Sequence, residues 1–246
     1  MNCMAPFDRS VFDREENDFY PTPAWATLAL LDKENFEGAI ADFSCGDGEL
    51  ILALHHRFGK SRRLIASDLI DRGFGHTPYD IFELDDRAKV DNVIMNPPFG
   101  PINEIIPKAL HLGQKKVALL ARLALLEGQE RFKIFEETPP SRIHVFTERV
   151  TMYSRKAELE MMRTKQKKNG STTACAWFVW DFGSEDRMKT TLIPPGRKHV
   201  YKTVSDKIRG VLVERALERA RLDAERYEPR NIHVECSDQN AFSYAS

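Results

Sequence analysis

Short apolar, β-branched segments that alternate with stretches of helical periodicity predict an α/β protein built on a doubly wound, mostly parallel sheet with an antiparallel edge. Three observations lead there. Ala39–Phe43, Arg63–Leu69 and Val90–Asn96 are compact apolar runs of strand length. The segments between and after them carry apolar residues at helical spacing, as in Leu50, Leu54 and Phe58. Strands and helices alternate at intervals that suit crossover connections, which favours parallel strands covered on both faces.

Taken in order, residues 1–19 are polar and form an N-terminal arm. Tyr20-Pro21-Thr22-Pro23 breaks the chain before WATLALL, an apolar helix with Pro23 near its first turn. Ala39–Phe43 runs into Ser44-Cys45-Gly46-Asp47-Gly48 and then ELILALHHRF, the signature of strand, glycine turn and helix. The strand at 63–69 and the strand at 90–96 follow, then a helix over 101–113, a buried strand beginning in KKVALLAR, and a helix in EGQERFKIFEET closed by Pro139-Pro140. Beyond Pro140, RIHVFTERVTMY and TACAWFVWDF read as two strands of a hairpin or β-rich edge, and the charged stretch Ser154–Thr172 between them reads as a loop. A last amphipathic helix over 204–227 carries Ile208, Val211, Leu212 and Ala216 on one side and precedes a polar tail. The expected organisation is an arm over 1–19, one catalytic domain over 20–200, and a C-terminal helix and tail over 201–246.

Composition narrows the function. The chain has 246 residues, 42% hydrophobic and 30% charged, enough for one sizeable core. Lys+Arg 36 against Asp+Glu 37 gives a net charge of -1, so contact with a polyanion must come from a local patch. The longest apolar run, Ala174–Trp180, is far shorter than the roughly 20 residues that cross a bilayer. The N-terminal residues lack the basic start and apolar stretch of a secretion signal, and the expected location is cytoplasmic. Cys3, Cys45, Cys175 and Cys236 are scattered without metal-ligand spacing, so no metal is expected and reduced thiols are.

Two constellations carry chemistry. In Asp42-Phe-Ser-Cys-Gly-Asp-Gly48 the glycines let backbone approach a ligand at a strand end, and Asp68, closing the next strand, suits a ribose diol. A dinucleotide fingerprint would place a third glycine where this chain has Ile51, which favours a nucleoside without pyrophosphate. The second constellation is Asn96-Pro97-Pro98-Phe99 at the end of an apolar strand. Two prolines remove two backbone donors, so the segment presents the Asn96 side-chain oxygen and the Pro97 carbonyl to an amine, with Phe99 as a flat surface for a ring.

On these motifs the sequence resembles the class I S-adenosylmethionine-dependent amino-methyltransferases, and most closely the phage-type DNA N6-adenine methyltransferases. Asn96, Pro97, Pro98 and Phe99 match that family's catalytic tetrapeptide; Asp42, Cys45, Gly46 and Gly48 match its cofactor loop. The resemblance implies a Rossmann-like class I methyltransferase domain that binds S-adenosylmethionine. It also implies cofactor contacts from Tyr20 and Thr22 in the upstream segment, from Asp68 at the ribose, and from Asp80 and Phe82 in Tyr79-Asp80-Ile81-Phe82 near the adenine. The implied reaction is methylation of the exocyclic amine of adenine in DNA, with the base flipped from the duplex. An RNA adenine or protein glutamine methyltransferase, or a catalytically silent nucleic-acid binder, would share the acceptor motif. Within Ser154–Thr172, Arg155, Lys156, Lys165, Lys167 and Lys168 are candidate DNA contacts. A homodimer or an accessory recognition subunit is a possible partner through the C-terminal helix.

Overall fold

The computed structural model describes residues 19–165 and 173–226. Seven strands form one sheet in the order β2-β1-β3-β4-β6-β5-β7. The strands are β1 (Ile40–Asp42), β2 (Leu64–Ala66), β3 (Val90–Met95), β4 (Gly113–Arg122), β5 (Arg142–Phe146), β6 (Cys175–Asp181) and β7 (Lys189–Ile193). All neighbours pair in parallel except around β6, which runs antiparallel to both β4 and β5. The antiparallel end of the sheet thus arises from a single reversed strand, with β5 and β7 beyond it. β7 has no counterpart in the sequence reading: its KTTLI is polar and mostly exposed, so no apolar run announces it.

The helices are α1 (Ala24–Leu31), α2 (Glu49–Phe58), α3 (Ile102–Leu112), α4 (Gln129–Glu137), α5 (Arg155–Thr164), α6 (Arg197–Val200) and α7 (Lys202–Arg226). Because strand side chains alternate, each central strand feeds two cores. Val117, Leu119 and Ala121 pack with Ile105, Ile106 and Phe135 on the α3–α4 face. Ala118 and Leu120 pack with Trp25, Leu30 and Leu54 on the α1–α2 face. Trp177 and Trp180 are both buried, and each indole N–H donates to a backbone carbonyl, of Ala26 and Thr138 respectively. Ile208 and Leu212 dock α7 against Ala24, Leu28 and Ala53 of α1 and α2. Between β2 and β3 the chain makes only 3-10 turns, at Ile81–Glu83 and Asp86–Ala88.

The charged segment read as a loop is in part a helix. Ser154 caps α5 by accepting a hydrogen bond from the Ala157 amide, and the helix ends where Lys165 turns into the left-handed region. Lys167 and Lys168 lie outside the described residues, as do the arm up to residue 18 and the tail from 227. Among the described residues no helix is long and apolar enough to cross a membrane.

Candidate active site

A cavity of about 460 Å³ opens at the carboxyl ends of β1, β2 and β3, where parallel α/β sheets bind ligands. It gathers residues from segments far apart in sequence: Tyr20 and Thr22 before α1, Asp42, Cys45 and Gly46 after β1, Asp68 after β2, Asp80 and Phe82 in the 3-10 turn, and Asn96 and Pro98 after β3. Of the residues expected at a site, Gly48, Pro97 and Phe99 stand beside the cavity rather than in its wall.

The glycine turn is held by carboxylates. Asp42, at the tip of β1, is 1% exposed and accepts from the amide and hydroxyl of Ser44 at 3.0 and 3.4 Å. Burial, with the negative charge of Asp68 nearby, pushes its carboxyl up to about 7. Asp68 accepts from the Gly46 amide at 2.8 Å and from the Ile70 amide at 2.8 Å, and pairs with Arg72 at 3.4 Å. Gly46 and Gly48 have φ of +57° and +93°, so both need glycine's freedom. A Cβ on Gly46 would lie 2.3 Å from the Phe19 ring, and one on Gly48 2.5 Å from Phe74, so two aromatic rings rest against this turn. The Asp80 side chain accepts from the Phe82 amide at 2.9 Å, setting the turn that leaves Tyr79 and Phe82 about half-exposed at the cavity rim.

Asn96 is the focus. Its amide nitrogen donates to the Tyr20 carbonyl at 2.9 Å and approaches Met152 Sδ at 3.7 Å. That fixes which end of the amide is free. Its Oδ1 is buried and accepts no hydrogen bond, as is true of the Oδ1 atoms of Asn92 and Asn103, but it alone of these three belongs to a residue that lines the cavity. The Asn96 backbone carbonyl accepts from Ser44 Oγ at 3.3 Å, so the tetrapeptide and the glycine turn are directly joined. Phe99 packs against the α3–α4 core, and the Arg122 guanidinium lies 4.8 Å from its ring centroid.

The cations expected to meet DNA separate. Lys165 is exposed at the end of α5, and Lys156 lies on the same helix. Arg155 is not on the surface: it is 8% exposed and paired with Asp47, Glu49 and Glu158. With its guanidinium engaged by these three carboxylates, Arg155 is placed as an internal contact, not at the surface where the expected DNA contact would lie. Burial alone would make its guanidinium easier to deprotonate, but the three carboxylates outweigh that and hold it charged. Glu49, also buried, accepts from the Ala24 amide at 3.1 Å, and burial pushes its carboxyl up in spite of Arg155. Sequence reasoning missed the Tyr20 carbonyl, Ser44, Met152 and the Asp47–Glu49–Arg155 cluster. Ser44 carries a local signal, two residues after Asp42 in an Asx-type turn; the others depend on contacts across 56 to 108 positions.

The sequence matches no protein-family model and no curated protein. Solved structures resemble the fold. A modification subunit of a putative type I restriction enzyme from Vibrio vulnificus aligns with TM-score 0.50 and 12% identity, over 76% of this chain and 52% of that one. A putative class I S-adenosylmethionine-dependent methyltransferase from Listeria monocytogenes aligns with TM-score 0.49 and 12% identity, over 81% and 73%. A putative RNA methyltransferase from Pyrococcus horikoshii gives 0.43 and 16%, over 67% and 88%. The chain spans about half the length of the Vibrio modification subunit. Sheet order and the likeness to the Vibrio modification subunit make the fold a doubly wound, mostly parallel α/β fold of the Rossmann-like methyltransferase kind.

Proposed function

We propose that this protein transfers a methyl group from S-adenosylmethionine to the exocyclic N6 amine of adenine in DNA. The observation that carries the reading is the buried, partnerless Oδ1 of Asn96, held in place by the Tyr20 carbonyl and followed by two residues without backbone donors. An amine is the donor such a site lacks. The adenine amine is a weak nucleophile because its lone pair is shared with the ring. Asn96 Oδ1 and the Pro97 carbonyl accept its two hydrogens, favour a pyramidal nitrogen and stabilise the positive charge that develops there. The proton then leaves to solvent.

The residues present suit the cofactor. The cavity wall carries Asp42, Asp47, Glu49, Asp68 and Asp80 with Arg72, five carboxyl groups against one cation, which suits a ligand that bears a sulfonium and an ammonium. Tyr20, Thr22, Asp42, Cys45, Gly46 and Gly48 would hold its methionine part, Asp68 its ribose, and Asp80 and Phe82 its adenine. When bound, S-adenosylmethionine supplies an electrophilic methyl group. A base within duplex DNA cannot reach a cavity of this depth, so it must be flipped, and Phe99 gives it a stacking surface once Arg122 moves aside. Lys156 and Lys165 on α5, with Lys167 and Lys168, supply phosphate contacts.

Transfer of tritiated methyl to DNA, RNA and protein tests the reading. Label in N6-methyladenine of DNA is the expected result. Label only in RNA or protein, or none with bound cofactor, would reject the proposed substrate.

A further inference from the structure

Arg155 joins everything that sets the direction of the Asn96 amide. Its Nε donates to Asp47 Oδ2 at 2.8 Å, which ties it to the glycine turn. One terminal nitrogen donates to Glu49 Oε2 at 2.9 Å, and the other Glu49 oxygen accepts from the Ala24 amide, four residues from the Tyr20 carbonyl that holds Asn96. The other terminal nitrogen donates to Glu158, which pairs with Arg209 of α7 at 3.2 Å. Met152, in contact with the Asn96 amide, lies three residues before Arg155 on the same segment. Both partners of the Asn96 nitrogen thus lie within four residues of a group tied to one guanidinium, Tyr20 through Ala24 and Glu49, and Met152 through its own segment. A planar fork that engages three carboxylates at once cannot be reproduced by lysine, which offers a single charged centre.

We propose that Arg155 is a positioning residue for methyl transfer: by tying Asp47, the Glu49–Ala24 link and the Met152 segment together, it holds Asn96 Oδ1 in the direction of the target amine. This rests on the methyltransferase reading above. Removing the node lets Tyr20 and Met152 drift by fractions of an ångström, which affects a reaction that depends on alignment more than it affects ground-state binding.

The test uses the full chain with Arg155→Gln, Arg155→Lys and, on the exposed side of the same helix, Arg163→Gln, which breaks only the surface pair with Glu160. Melting temperature, S-adenosylmethionine affinity by calorimetry, and kcat and KM at saturating cofactor are measured for each. Arg155→Gln is expected to lower kcat at least about 30-fold while cofactor affinity and KM for DNA change less than about 5-fold. Arg155→Lys is expected to recover part of that loss, and Arg163→Gln to match the parent. Should Arg155→Gln fail to fold, Glu158→Gln, which removes the arm of the node that lies outside the cavity wall, is expected to show the same selective fall in kcat. Folded Arg155 and Glu158 variants that melt early yet keep full kcat would overturn the proposal and leave the methyltransferase reading standing. A parent protein that transfers no methyl to any acceptor would overturn both.

Discussion

The two ends of the sheet bury polar groups at similar depth and treat them in opposite ways. At the amino ends of the parallel strands, Glu34 lies among Lys116, Arg142 and His144, with Asp181 and Asp186 completing the ring of charge. Burial would raise the Glu34 carboxyl, but its hydrogen bonds to His144, Arg142 and Lys116 outweigh that and hold it well below the usual carboxylate range. His144 completes its second bond with Thr191 of β7 at 2.6 Å, so the network stitches the outer strands to α1. At the carboxyl ends, Asp42 is buried with only Ser44 for a donor, and Asn96 Oδ1 has none. The Glu34 network gives each of its charged groups an opposite partner, although Asn92 Oδ1 at the start of β3 is buried without a donor. At the carboxyl ends the buried acceptors of Asp42 and Asn96 have no cation beside them among their hydrogen-bond partners.

Four experiments break or sharpen that contrast. The largest effect is expected from Glu34→Ala, which removes the buried acceptor shared by His144, Arg142 and Lys116, leaves the two cations only Asp181 and Asp186, and should cost about 3 kcal/mol of stability. Denaturant unfolding measures it, and cofactor affinity of the remaining folded fraction should be unchanged. A loss under about 1 kcal/mol would reduce the network to surface decoration.

Asn96→Ala should do the reverse. Methyl transfer should fall by at least about two orders of magnitude, roughly 2.7 kcal/mol of transition-state stabilisation, with little change in melting temperature or cofactor affinity. Near-normal turnover in this variant would refute the acceptor role.

The third test uses the Asp42 carboxyl. Its pKa is raised to about 7 in the folded protein, against an ordinary value of 3.8. The folded state therefore binds more protons than the unfolded state between those values, so this group's contribution to stability is fully present below about pH 4 and is lost as pH rises towards 7. Asp42→Asn should remove that slope and gain on the parent above pH 7. A cationic ligand favours the ionised form, so S-adenosylmethionine affinity of the parent should increase from pH 5.5 to 8, and in Asp42→Asn it should be flat. Calorimetry at several pH values decides it; a pH-independent parent would show that Asp42 does not face the ligand's charge.

The smallest effect is expected at the surface. Lys165→Ala should weaken binding to all DNA sequences equally and lower the slope of log affinity against log salt by about 0.9, as one phosphate contact is worth. An unchanged slope would confine α5 to packing.

The motifs that meet at the cavity stand out in the sequence more clearly than the scaffold that holds them. Asn96-Pro97-Pro98-Phe99 and the glycine turn announce themselves because their chemistry depends on neighbours in sequence, prolines that delete donors and glycines that tolerate positive φ. The parallel core strands were visible for a similar reason: burial on both faces demands continuous apolar runs. β7 was hidden because an outer strand with exposed faces needs no apolar pattern, and α5 because its lysines and glutamates mask a Ser154 cap that only the folded backbone reveals. The role of Arg155 was misread on composition alone. A cation among lysines suggests a phosphate contact, and nothing local says that Asp47 and Glu49, more than 100 positions earlier, will meet it.

The strands β5 and β6 are adjacent and antiparallel, yet residues 147–174 lie between them where a two-residue turn would suffice. That detour is an allowance for change. Closure entropy grows only with the logarithm of loop length, so doubling the segment adds about 0.6 kcal/mol, little beside the cost of altering a central strand. A longer connection between β5 and β6 therefore adds little to the cost of closing the sheet, while Arg155 on the described part of that connection holds α5 against Asp47 and Glu49 of the glycine turn.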